Sequence, residues 1–231
     1  MTASSPESAL PVQIVWIPGM AADERLFAPI DIPAARHHHL RWRHIPGATT
    51  LRAYAEAMVA EADWPTDLPT IYVGSSMGGM LAVELQAVAP ADDLVLLSAP
   101  ATRREFPALM KALGRIRAGA LFSPSGILRA RRISDTFMGF KNLEDRQWFY
   151  ENLEAYGPEF VHFAVNAILD WDRTTPPAAY GQIIGAQDRL FRPRKMHRPI
   201  VVSGAGHFLT KEQPARLTEL LLARWQAQFQ G

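Results

Sequence analysis

The chain has 231 residues, of which 48% are hydrophobic and 20% charged, with a formal net charge of +1 and no cysteine. That length suits one full-sized core with room for an insertion, and the composition excludes the disordered and fibrous classes. Near-neutral charge gives no global attraction to nucleic acid or to an anionic membrane, and without cysteine there is no disulfide, thiolate metal site or thiol nucleophile.

No apolar run reaches the roughly 18 residues that span a bilayer. Met1 to Leu10 lack the basic start and apolar centre of a secretion signal, so a cytoplasmic protein is expected. Val12 to Ile17, apolar and β-branched up to Pro18 and Gly19, predicts a strand buried on both faces. A helical turn or loop is expected over Asp23 to Pro29, and a weaker strand over His39 to Ile45. Thr50 to Ala62 predicts a helix with Thr50 as its N-cap.

Thr70 to Val73 predicts a strand that runs through Gly74–Gly78 into a helix ending near Ala89, and Leu94 to Leu97 predicts the next strand. Strands alternating with helices imply crossovers, and hence a mostly parallel sheet flanked by helices. From Ala101 to Arg173 the strand pattern stops. Phe106, Leu109, Met110, Leu113 and Ile116 fall on one helical stripe there, so residues 101–173 are read as a helical insertion into a core made of residues 1–100 and 174–231. Strands return at Tyr180 to Ile184 and Ile200 to Ser203. A helix over Gln213 to Phe229 closes the chain with Leu217, Leu220, Leu221 and Trp225 turned inward.

Gly74, Ser75, Ser76, Met77 and Gly78 form Gly-x-Ser-x-Gly between a predicted strand and a predicted helix. A sharp turn there would lift the Ser76 hydroxyl above the sheet, with the helix N-terminus and the Met77 amide beside any developing oxyanion. The pattern alone is also a common glycine-rich turn. It is a poor dinucleotide loop, because the Gly-x-Gly-x-x-Gly spacing is absent and Ser98 stands where an acid would bind ribose. A serine hydroxyl needs a base held by an acid. His207 follows Gly204-Ala205-Gly206 after one predicted strand, and Asp188 follows Gly185-Ala186-Gln187 after another. The chain order Ser, Asp, His suits a triad assembled on such a sheet.

On these residues the chain resembles the α/β-hydrolase superfamily over nearly its whole length. The resemblance implies a six-stranded version of the fold with Ser76 as nucleophile, Asp188 as acid and His207 as base. It also makes Ile17-Pro18-Gly19-Met20 the loop whose Met20 amide joins that of Met77 in the oxyanion hole. Pro18 stands where many members have histidine. The segment 101–173 resembles the family's substrate-selecting helical cap. A carboxylesterase acting on small to medium acyl esters is expected, with no metal or organic cofactor. The alternatives are an acyl-carrier-protein methyl esterase or thioesterase, and a non-catalytic small-molecule receptor.

Other residues are weighed against plainer roles. His37, His38 and His39 are read as a partly solvated strand entrance rather than metal ligands. His162 is read as a core or pocket-lining residue. Asp170 and Asp172 rank below Asp188 because they precede a strand. Met20, Met77, Met110 and Met138 suit a flexible apolar lining. Lys111, Arg115, Arg117, Arg129, Arg131 and Arg132 make the insertion locally basic, either as a solvated face or as a dock for an acidic carrier protein.

Overall fold

A computed structural model describes residues 12–33, 35–61, 67–116, 126 and 131–229. Six strands, β1 (Gln13–Ile17), β2 (Arg36–His39), β3 (Thr70–Ser75), β4 (Asp93–Leu97), β5 (Gly181–Gly185) and β6 (Ile200–Val202), form one sheet in the order β2-β1-β3-β4-β5-β6. Every neighbouring pair is parallel. All of the strands therefore end at one edge, where loops can converge.

The helices are α1 (Leu51–Glu61), α2 (Met77–Val88), α3 (Ala108–Arg115), α4 (Arg131–Met138), α5 (Leu143–Asp170), α6 (Leu209–Glu212) and α7 (Pro214–Phe229). They bury both sheet faces, and the strand alternation divides the core accordingly. Ile14 and Trp16 of β1 pack with Leu217, Leu221 and Trp225 of α7 on one face. Val15 and Ile17 pack with α1 and α2 on the other. Asp93 starts β4 almost fully buried, and it is held there by Arg224 and the Trp225 indole. The desolvated carboxylate is thus paired rather than orphaned.

Thr50 caps α1 as expected, its hydroxyl accepting from the Ala53 amide at 3.1 Å. Several expectations need correction. The second strand lies at Arg36–His39 instead of His39–Ile45, because the Arg36 amide donates to Val12 and the Leu40 amide to Trp16, extending the β1 ladder over the histidines. Leu40, Trp42 and Ile45 bury their side chains from irregular backbone. The closing helix runs unbroken as α7, with the short α6 before it, but Leu220 is only partly buried. Within Asp23 to Pro29, the expected helical turn is a 3-10 helix over residues 24–26, capped by Asp23.

Between β4 and β5 the described residues contain helices and no strand. Helix α5 is kinked at Gly157, whose φ of 75° and following Pro158 break the regular ladder. The Arg103 guanidinium donates to the Leu169 and Trp171 carbonyls, tying the start of the segment to the end of α5. The helical stripe read from Phe106 to Ile116 does not all face inward. Phe106 is buried, but Leu109 is 60% and Ile116 72% exposed. No helix among the described residues is long and apolar enough to cross a membrane.

Candidate active site

Ser76 joins β3 to α2 with φ 52° and ψ −120°, a conformation that non-glycine residues rarely adopt. Glycines allow the turn to pack. A Cβ on Gly78 would collide with the Ile17 and Pro18 carbonyls, and one on Gly74 with the backbone of Gly78 and Gly79. The Ser76 amide donates to Leu97 at 3.0 Å, fastening the turn to the end of β4.

Two further strand ends bring the partners. The Nδ1 of His207 lies 2.9 Å from Asp188 Oδ2, and its Nε2 lies 3.1 Å from Ser76 Oγ. Asp188 Oδ1 accepts from the Leu190 and Phe191 amides, each at 2.9 Å, which leaves Oδ2 aimed at the ring. An acceptor carboxylate on Nδ1 places the imidazole proton there, so Nε2 accepts from the serine hydroxyl. Asp188 and His207 are buried, whereas Ser76 is partly open. Gly185 permits the two loops to meet, since a Cβ there would strike the Ala205 and Gly206 carbonyls.

Pro18 to Ala22 forms the wall beside Ser76. A Cβ on Gly19 would lie 3.2 Å from that of Ser76, and Met20 and Met77 both line the same cavity. This wall is fastened by contacts that sequence reading missed. The Trp42 indole donates to the Pro18 and Gly19 carbonyls at 2.9 and 3.1 Å. Tyr156 of α5 donates to Ala22 at 3.0 Å. Burial, with Asp23 and Glu24 nearby, pushes the Tyr156 hydroxyl up to about 12, so it remains a donor at neutral pH. Asn152 of α5 donates to Asp23, which also accepts from Arg25. Burial opposes ionisation of Asp23, but the Arg25 hydrogen bonds outweigh it and hold the carboxyl below its ordinary value. Behind His207, Glu212 accepts from the Gly206 amide, and Lys141 reaches both Glu212 and the Gly204 carbonyl. Apart from Glu212, five residues after His207, these partners lie far from Ser76, Asp188 and His207 in sequence, so no local pattern in the chain marks them.

Above Ser76 and His207 opens a cavity of about 770 Å³ whose lining is mostly apolar. Met20, Met77, Met80, Met110 and Met138 contribute, with Phe149, Phe191 and Phe208 among the aromatics. All four methionines singled out in the sequence are therefore there. Other candidates fall elsewhere. His162 is exposed on α5 beside Asn166, correcting its reading as a buried or pocket residue. Asp170 and Asp172 are exposed and do not line the cavity. His37, His38 and His39 lie along the edge strand, with His37 accepting from the Trp16 indole. Of the basic positions, Lys111 donates to the Arg104 carbonyl and Arg115 is exposed. Arg117, Arg129 and the side chains of Arg131 and Arg132 lie outside the described residues.

Residues 14–220 match the sequence profile described as the alpha/beta hydrolase family. The chain belongs to this family. Against curated proteins the sequence finds no match. Among solved structures, an esterase from Thermogutta terrifontis superposes with TM-score 0.70 at 17% identity, covering 94% of this chain and 90% of that one. An esterase from Exiguobacterium antarcticum gives 0.65 at 16%, covering 93% and 91%. The N-acyl homoserine lactonase AidH gives 0.65 at 15%, covering 96% and 90%. At these identities the likeness is one of fold, and this alpha/beta hydrolase must be read from its own site.

Proposed function

We propose that this alpha/beta hydrolase is a serine carboxylesterase that cleaves small to medium acyl esters through an acyl-enzyme on Ser76. The observation that carries the reading is the hydrogen-bonded chain from Ser76 Oγ through His207 to Asp188 on the floor of an apolar cavity. His207 takes the proton of Ser76 as Oγ attacks the ester carbonyl, and Asp188 orients the ring and stabilises the imidazolium. The backbone amides of Met20 and Met77 hold the oxyanion, the first on the wall beside Ser76 and the second at the start of α2. His207 then protonates the departing alcohol and activates the water that releases the acid. Residues 101–173 act as the cap, because Leu109, Met110, Leu113 and Met138 roof the cavity.

Neighbours of the same fold that are named as esterases and a lactonase support the reaction class. The test is hydrolysis of p-nitrophenyl esters of increasing acyl length by the wild type and by Ser76→Ala. A graded wild-type activity with an optimum at short or medium chains, lost in the variant, is expected. Equal activity in both proteins would overturn Ser76 as nucleophile.

A further inference from the structure

The apolar cavity has a cationic mouth that ester hydrolysis does not require. Arg189, Arg192, Arg194 and Lys195 line the same cavity as Ser76 and His207, and all four are exposed. They lie in a stretch, residues 189–211, with no aspartate or glutamate. Residues 106–134, which supply Leu109, Met110 and Leu113 to the cavity, have none either. Elsewhere the protein neutralises its arginines: Arg25, Arg36, Arg41, Arg43, Arg146 and Arg224 each pair with a carboxylate. Arg192, Arg194 and Lys195 pair with no carboxylate among the described residues, and Arg189 makes only a 3.5 Å contact to the Thr136 carbonyl.

The charge continues beyond the mouth. Lys195 is shared with a second, smaller cavity of about 310 Å³ that also presents Arg104 and His197. The carboxylate in that cavity, Glu105, is turned to internal work, accepting from the Ala101 and His197 amides and from Gln182. The outward character of both openings is therefore positive, which favours phosphate or carboxylate, and arginine suits phosphate geometry in particular.

The position of these cations says which part of a substrate they meet. Their segment begins on the acid of the triad, where Asp188 accepts from the Leu190 and Phe191 amides, and the Phe191 ring lies 5.8 Å from that of His207. His207 is the group that hands a proton to the departing fragment, so the cationic mouth lies on the leaving-group side.

We propose that the substrate is an acyl ester or thioester with an anionic, phosphate-bearing leaving group, which Arg189, Arg192, Arg194 and Lys195 receive while the methionine-rich cavity holds the acyl chain. This rests on the esterase reading above and names its substrate class. For a thioester, Ser76 Oγ bonds to the carbonyl carbon as its proton passes to His207. The carbon–sulfur bond then breaks and the thiol departs with that proton. Water adds to the acyl-enzyme, gives a proton through His207 to Ser76 and releases the carboxylic acid.

The test compares octanoyl-coenzyme A with the neutral octanoyl thioester of N-acetylcysteamine, using the wild type and an Arg192→Gln/Arg194→Gln/Lys195→Gln variant. The wild type is expected to favour octanoyl-coenzyme A in kcat/KM. The ratio of the two values should fall at least tenfold in the variant, and fall for the wild type in 0.5 M salt as screening sets in. A merely structural effect would lower both substrates together and leave the ratio in place. A wild type with no preference, or an unchanged ratio in the variant, would overturn the proposal. Calorimetric binding of octanoyl-coenzyme A to Ser76→Ala, with and without the three glutamines, separates this from a failure of the esterase reading. A protein inert toward every ester that still binds octanoyl-coenzyme A through the mouth sinks only the catalysis. Binding that is absent, or indifferent to the substitutions, sinks the anionic leaving group.

Discussion

The floor and the roof of the cavity are built on opposite terms. The floor is backbone: Ser76 held in a left-handed conformation, glycines at van der Waals limits, and an acid fixed by two amides. The roof is side chain: Leu109 and Phe137 project with 60% and 39% of their surface exposed, and Met110 and Met138 line the cavity beside them. Rigid backbone suits chemistry that tolerates little displacement, whereas flexible apolar side chains suit ligands of varying length.

The sharpest way to break this contrast is at the floor. Ser76→Ala removes one hydroxyl and should lower kcat by about 10⁴-fold or more, with the fold intact by circular dichroism. Gly78→Ala tests backbone tightness by pitting two effects of opposite sign. Alanine in a helix is worth roughly 1 kcal/mol over glycine, yet its Cβ would strike the Ile17 and Pro18 carbonyls, which belong to the sheet and to the wall beside Ser76. Backbone cannot swing aside, so a net loss of about 3 kcal/mol is expected, read as a lowered urea midpoint. A stabilised Gly78→Ala protein would show that the floor yields.

The floor was also the part legible in the sequence. Ser76, Asp188 and His207 each follow an apolar strand whose end fixes the side chain's place, so local pattern and tertiary position coincide. The roof lacked that link. The stripe from Phe106 to Ile116 has helical period, but the period cannot say whether it faces a core or a cavity, and Leu109 faces the cavity. His162 sits among apolar neighbours in sequence yet points outward because Val161, Ala164 and Val165 take the inner face of α5. Strand β2 escaped because Arg-His-His-His has no strand signature of its own and is ordered by pairing with β1. Asp23 and Asn152 meet across 129 positions, a pairing that no local pattern announces.

Leu109→Trp sharpens the contrast from the roof. Enlarging an exposed cavity residue should cost no more than about 0.5 kcal/mol in stability but shift the acyl preference toward shorter chains, lowering kcat/KM for long-chain p-nitrophenyl esters by about tenfold. A change in stability without a change in chain-length profile would mean that Leu109 supports structure instead. Between floor and roof stands Tyr156, and Tyr156→Phe removes its hydrogen bond to Ala22. A loss of about 1 kcal/mol is expected, and on the proposed mechanism a bond that positions the wall beside Ser76 should appear in kcat more than in KM.

Asp23 gives the smallest effect and the one with a defined pH sense. Its carboxyl is held below its ordinary value by Arg25, with Asn152 adding a donor. A depressed folded-state value means that the ionised group stabilises the fold fully above the unfolded carboxylate pKa near ~4, and that this contribution is lost as pH falls through the lower folded value. Arg25 is more than half exposed, so solvent screening limits the pair to about 0.5 kcal/mol. Asp23→Asn should therefore lower Tm slightly at pH 7, and the gap from wild type should close as pH falls through the depressed folded value of Asp23, below which both side chains are neutral. Salt should narrow the gap at pH 7 but not in that acid range. A gap that persists in acid would mean that shape and hydrogen bonding to Asn152, and not charge, tie α5 to the wall beside Ser76.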